Sequence, residues 1–197
     1  MDLSPQTRQL LLDAAWQIIR HRLAGQTPPP LPPDPALHQP AGCFVSLHRR
    51  QDHALRGCIG LLDAGRPLAN SLSSAALAVL DDPRFVQDPV TQAELPELEL
   101  EITVLGPLRR VPSPLEFEPA THGIYLNVAG RSGCFLPQVA RETGWTKIQL
   151  LSRLCTEKLQ LPPQAWQDPS AVMHVFSAEV LGPQPWSAPS QPAAAQP

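Results

Sequence analysis

The chain has 197 residues, 43% hydrophobic and 17% charged, with a formal net charge of −3. That is enough length for one ordinary domain with a real core, and a globular rather than disordered composition. No run of Lys and Arg exceeds a pair, which argues against the clustered cations of a nucleic-acid surface and against a basic membrane-surface helix.

The first residues, Met1 to Leu12, lack a charged region followed by a long apolar run, and no apolar stretch reaches bilayer-spanning length. Cys43, Cys58, Cys134 and Cys155 lie far apart with no Cys-x-x-Cys pair, which reads as free thiols in a reducing compartment. A cytoplasmic protein is expected.

Ser4-Pro5 opens a helix, with Ser4 as cap and Pro5 where a missing N–H costs nothing. Leu11, Ala14, Ala15, Ile18 and Leu23 follow at helical spacing up to Gly25. Thr27 to Pro40 carries seven of the 25 prolines and reads as an extended connection. Gly42–His48 and Ala54–Leu62 read as two strands joined by a turn, and Pro67 to Leu80 as a helix. Thr91 with Glu94 fits a capping box.

Glu97–Leu105 is the clearest strand. Leu98, Leu100, Ile102 and Val104 alternate with Glu97, Glu99, Glu101 and Thr103, so one face is buried and the acidic one reads most simply as solvated. Gly123–Val128 and Gly133–Leu136 suggest a hairpin. Pro137–Thr143 and Lys147–Gln160 suggest helices, and Ala171–Val180 a last strand. The organisation expected is a docked helix over 1–25, a Pro-rich connection over 26–41, a domain over 42–181 and a disordered tail over 182–197. Short hairpin-like joins argue for a mainly antiparallel sheet flanked by helices, an α+β fold.

Leu55-Arg56-Gly57-Cys58-Ile59-Gly60 carries the most information. Glycines interrupting an apolar strand mark a bulge, a bend or a surface of close approach. Strand alternation places Leu55, Ile59 and Leu61 on one side and Arg56, Cys58 and Gly60 on the other. A guanidinium beside a thiol stabilises the thiolate. The bland readings stand alongside: Cys58 as a small buried hydrophobe, and Arg56 as a salt-bridge partner of Glu99 or Glu101. His122 sits at an element end, where functional residues and ordinary turn residues both occur. No close His pair or Cys/His pair suggests a metal site, although His48, His122 and Glu101 could assemble one from a distance. No cofactor fingerprint is present.

Five segments together resemble the AMMECR domain family, also known as protein A of the AmmeMemoRadiSam system. They are Leu55–Gly60, Asp82-Pro83-Arg84-Phe85, Glu94-Leu95-Pro96-Glu97-Leu98, His122-Gly123-Ile124, and Phe135-Leu136-Pro137-Gln138-Val139-Ala140 followed by Gly144-Trp145. The resemblance covers roughly Gly42 to Val180. It departs at Leu61, where the family commonly has a small polar residue.

The resemblance implies an α+β fold with a smaller second lobe, and association with a Memo-like protein and a radical S-adenosylmethionine enzyme. It names no cofactor or reaction. Two readings of the site follow. In a thiol enzyme, Cys58 is the nucleophile, Arg56 its activator, and His122 or Glu101 the base. In a binding or adaptor module, Gly57 and Gly60 admit a partner closely while Arg56, Arg84 and Glu99 supply polar contacts.

Overall fold

A computed structural model describes residues 3–62 and 65–187. Two compact units divide the described chain: one spans residues 3–103 and 180–187, the other residues 104–179. The boundaries fall inside two strands.

The first unit opens with α1 (Pro5–Leu23). The Ser4 hydroxyl accepts the Thr7 N–H at 3.1 Å, and Leu11, Ala14, Ala15, Ile18 and Ile19 form its buried face. Gly25, at φ +67°, lies in the left-handed region and lets the chain leave the helix. The Asp34 carboxylate accepts the Thr7 hydroxyl at 3.1 Å and the Ala36 N–H at 2.8 Å, which ties the Pro-rich connection to the start of α1.

β1 (Gly42–Arg49), β2 (Leu55–Leu61), β3 (Leu98–Leu105) and β8 (Ala178–Pro185) make a four-stranded sheet in the order β2-β1-β3-β8. α2 (Leu68–Ala78) packs on β1, β2 and α1. Its residues Leu68, Leu72, Ala75 and Ala76 are buried, as are Cys43, Val45, Leu47, Leu98, Leu100 and Ile102 of the strands. Their alternation and helical spacing match the sequence expectation.

Three short helical turns, Val79–Asp81, Pro83–Phe85 and Gln92–Glu97, connect α2 to β3. The capping box at Thr91 does not form: Thr91 makes no side-chain cap, and Glu94 turns instead toward Arg56.

In the second unit, β4 (Arg109–Val111), β5 (Gly123–Val128), β6 (Arg131–Phe135) and β7 (Val172–Phe176) form a sheet ordered β4-β7-β5-β6. β4 with β7, β5 with β6 and β5 with β7 all pair antiparallel. Ala129 and Gly130, both at positive φ (52° and 72°), make the tight turn between β5 and β6. α3 (Pro137–Thr143) and α4 (Lys147–Arg153) follow, and α4 continues as a π-helical turn over Leu154–Lys158. Ile124, Leu126, Phe135, Leu151, Leu154, Met173 and Val175 sit in this unit's core.

The fold is thus α+β with antiparallel sheets, in two units. The last segment differs from expectation. The single strand foreseen over Ala171–Val180 is two strands in different sheets, β7 and β8, broken at Ser177. β8 also continues through Gly182–Pro185, where the tail was expected to begin. Leu181 is buried, and the Trp186 N–H donates to the Leu98 carbonyl at 3.0 Å. The Trp186 ring meets Trp16 edge-on at 5.2 Å. Residues 188–197 lie outside the described residues.

Candidate functional site

β1 and β2 pair antiparallel with Phe44 opposite Gly60, Ser46 opposite Cys58 and Leu47 opposite Gly57. The register then shifts, so that His48 faces Leu55 and Arg56 is the extra residue of a β-bulge. The bulge breaks the expected alternation: Arg56 and Gly57 are both buried in succession, and Arg56 does not share a regular face with Cys58.

The two glycines serve the chain's own packing. A Cβ on Gly57 would stand 2.7 Å from the Val79 carbonyl oxygen, and one on Gly60 would run into the Phe44 ring. The close approach is therefore made by a helical turn on one side and an aromatic ring on the other.

Arg56, 7% exposed, is held by carboxylates. Its Nε donates to Glu94 Oε1 at 2.6 Å and an Nη to Glu94 Oε2 at 3.0 Å, a bidentate pair. It also donates to the Asp88 carbonyl at 3.1 Å, pairs with the Asp88 carboxylate at 3.2 Å and lies over the Phe85 ring at 5.5 Å. Hydrogen bonding by Glu94 raises its pKa further, against a desolvation that lowers it. The partner of Arg56 is therefore Glu94, three residues after Thr91 on the connecting turn, and not Glu99 or Glu101 of β3.

Asp82, 3% exposed, organises the other half of the site. Its Oδ2 accepts the Cys58 backbone N–H at 2.8 Å and an Arg84 Nη at 2.6 Å, while Oδ1 accepts the Arg84 N–H and Nε, each at 3.0 Å. Pro83 lets the chain turn tightly between the two. The Arg84 hydrogen bond holds the Asp82 carboxyl down at about 2, helped by the Cys58 N–H and opposed by burial. An Arg84 Nη also donates to the Cys58 carbonyl at 3.3 Å. Asp82 first raises the Arg84 pKa against desolvation, and the Cys58 side chain adds a smaller effect in the same direction. The cation beside Cys58 is thus Arg84, not Arg56.

The Cys58 side chain is half-buried, and its Sγ accepts the Ser46 hydroxyl from the paired position on β1 at 3.2 Å. Ser46, Cys58, Asp82 and Arg84 therefore converge, with the Arg84 side chain 55% exposed. In the sequence Asp82 stands out only as part of the Asp82-Pro83-Arg84-Phe85 segment of the family resemblance. Its carboxylate could have been foreseen as an Asx cap, but not its reach to β2 across 24 residues.

The remaining expected residues lie on other elements. β1 lies between β2 and β3, so Glu99 and Glu101 are two interstrand spacings, about 9–10 Å, from the Cys58 strand. The polar face of β3 is not solvated: Glu99 is 8% exposed and Thr103 3%. Glu99 Oε1 meets His53 Nδ1 at 2.6 Å. His122 belongs to the second unit, where its Nδ1 accepts the Glu118 backbone N–H at 3.0 Å and its backbone N–H donates to the Glu118 carbonyl at 2.9 Å. Among the described residues no group of three or more His, Cys, Asp or Glu side chains is placed to hold a metal ion. No described helix is long and apolar enough to cross a membrane.

A two-unit antiparallel α+β chain, with a bulged Arg-Gly-Cys strand clamped by an Asp-Pro-Arg turn, has close counterparts. The AMMECR1 family model matches residues 12–181, and the chain belongs to that family. Protein MK0488 of Methanopyrus kandleri is 36% identical over 189 residues, covering 91% of this chain and 89% of its own. Protein TK0174 of Thermococcus kodakarensis is 36% identical, covering 85% of this chain and 84% of its own. The crystal structure of the uncharacterized protein PH0010 from Pyrococcus horikoshii is similar with a TM-score of 0.81 at 33% identity, over 90% of this chain and 92% of that one.

Proposed function

We propose that this chain is a binding or adaptor component, acting in the cytoplasm as protein A of an AmmeMemoRadiSam system, with the Ser46–Cys58–Arg84 corner as its recognition surface. Its partners are the Memo-like protein and the radical S-adenosylmethionine enzyme that the family resemblance implies. The observation that carries this reading is the division of labour between the two arginines. Arg56 is spent on buried internal pairing, whereas Arg84 is anchored at one edge by Asp82 and 55% exposed beside a thiol and a hydroxyl. Both the N–H and the C=O of Cys58 are tied to the Asp82–Arg84 turn. Such a surface is ordered before a partner arrives, which lowers the entropy cost of association.

The test is direct titration of the purified chain against each of the two partner proteins from the same genome. Wild type should bind at least one, Arg84→Glu should weaken that binding tenfold or more, and Cys58→Ser should leave it nearly intact. Absence of binding to either partner overturns the reading, as does equal binding by Arg84→Glu.

A second reading is a cysteine-dependent enzyme with Cys58 as nucleophile, acting on a protein, peptide or small molecule. The Ser46 hydroxyl donating to Sγ and the neighbouring Arg84 charge favour it, since both stabilise a thiolate. It requires that iodoacetamide modify Cys58 in the folded protein at neutral pH much faster than Cys134. Comparable rates at the two thiols would remove it.

A further inference from the structure

The sheet of the second unit carries a row of chemically active side chains on the face opposite its core. Arg110 of β4 pairs with His174 of β7, His174 with Tyr125 of β5, and Tyr125 with Cys134 of β6. Residues directly opposite in antiparallel pairs share a face, with Cβ atoms about 4.5–5.5 Å apart. Guanidinium, imidazole, phenol and thiol therefore stand in register across four strands. The neighbouring positions Val111, Met173, Val175, Ile124, Leu126 and Phe135 point the other way, into the core.

Three observations set this row apart from a solvated sheet face. His174, Tyr125 and Cys134 are each half-buried. The Tyr125 and His174 rings meet tilted by 52°, with 6.0 Å between centroids. The His174 Nδ1 is shielded from solvent without a hydrogen-bond partner among the described residues, a position that is costly for a polar atom. At the Arg110 end the row borders a cavity of about 280 Å³, lined by Arg110, Pro112, Pro114, Ala171 and Val172 and also by the core residues Val111 and Met173.

We propose that this face binds a small organic carboxylate: the apolar body in the Pro112–Pro114–Val172 cavity, the carboxylate at Arg110, and His174 and Tyr125 along its other edge. The chemistry follows from the donors. One guanidinium is matched to one negative charge in a fork geometry, with a phenol and an imidazole beside it as polar groups of adjustable direction. The apolar walls are proline, valine, alanine and methionine, and the volume, just below the usual range for small-molecule sites, suits a small ligand. A multiply charged phosphate would find a single cation here. Two sources share the chemistry, a free aromatic or branched acid and the C-terminal carboxylate of a peptide ending in an apolar residue.

The full chain, labelled with ¹³C-histidine, reports on the site directly, the His174 resonance being identified by its loss in His174→Gln. Benzoate added at constant ionic strength should shift that resonance saturably. Benzamide, its neutral isostere, should not, and Arg110→Gln should weaken the benzoate response tenfold or more. Arg110 is exposed on a three-residue strand, so the substitution should fold. A tripeptide ending in phenylalanine with a free carboxylate separates the sources. Tighter binding than benzoate assigns the site to peptide C-termini; weaker binding assigns it to free acids. No saturable shift with either probe, equal shifts by benzoate and benzamide, or an Arg110→Gln protein that binds like wild type would each overturn the proposal. The readout is independent of the Cys58–Arg84 surface.

Discussion

The two ion pairs around β2 behave differently under perturbation because their partners differ in exposure. Arg56 and Glu94 are 8% and 19% exposed at the side chain. Breaking such a pair strands a charge, whereas removing both charges can cost little. Arg56→Met is expected to lower unfolding stability by about 3–5 kcal/mol, and the double variant Arg56→Met/Glu94→Leu to recover much of that loss in urea titrations. If the double variant is the sum of the singles, the pair is not coupled as described.

Asp82 makes a pH prediction. Its carboxyl is depressed to about 2 in the folded chain, below its ordinary value near 3.9. A depressed acid stabilises the fold at pH above its unfolded pKa, and that contribution is lost as pH falls through the folded value. Wild type should therefore lose about 2 kcal/mol from this group between roughly pH 5 and pH 2. Asp82→Asn should be less stable at neutral pH and converge toward wild type near pH 2. Parallel acid profiles for the two proteins would contradict the assignment.

At the scale of elements, β2 is shaped by what packs on it. Its bulge hands Arg56 to the connecting turn, and the missing side chain at Gly57 admits the Val79 carbonyl at the end of α2. Gly57→Ala should cost about 1–3 kcal/mol through overpacking, without altering the thiol's hydroxyl contact. The measurement is the urea midpoint together with the alkylation rate of Cys58. A neutral substitution would mean that α2 and its following turn shift freely, contrary to the tight contact. The β7–β8 break at Ser177 is of the same kind: Ala171–Val180 reads as one strand in sequence, and hydrogen bonding to two different sheets divides it.

For the whole molecule, the four cysteines should sort by burial. Cys43 and Cys155 are fully buried, with the Cys43 thiol pushed up to about 12 and that of Cys155 also raised, in both cases by desolvation. Cys58 and Cys134 are half-buried. A thiol titration of the native protein should count two fast groups and four after denaturation; four fast groups in the native state would refute the burial pattern. The sequence alone determined the elements whose residues repeat with a period: the face of α1, the apolar side of α2 and the alternation of β3, together with the family. It also marked Arg56–Gly60 as unusual, because glycine in a strand is costly without a reason. Only the tertiary structure decided what those residues touch. A bulge changes alternation without leaving a periodic trace, strand order is not written in spacing, and the choice of Glu94 over Glu99 for Arg56, or of Arg84 over Arg56 for Cys58, depends on which turn the folded backbone brings to the strand.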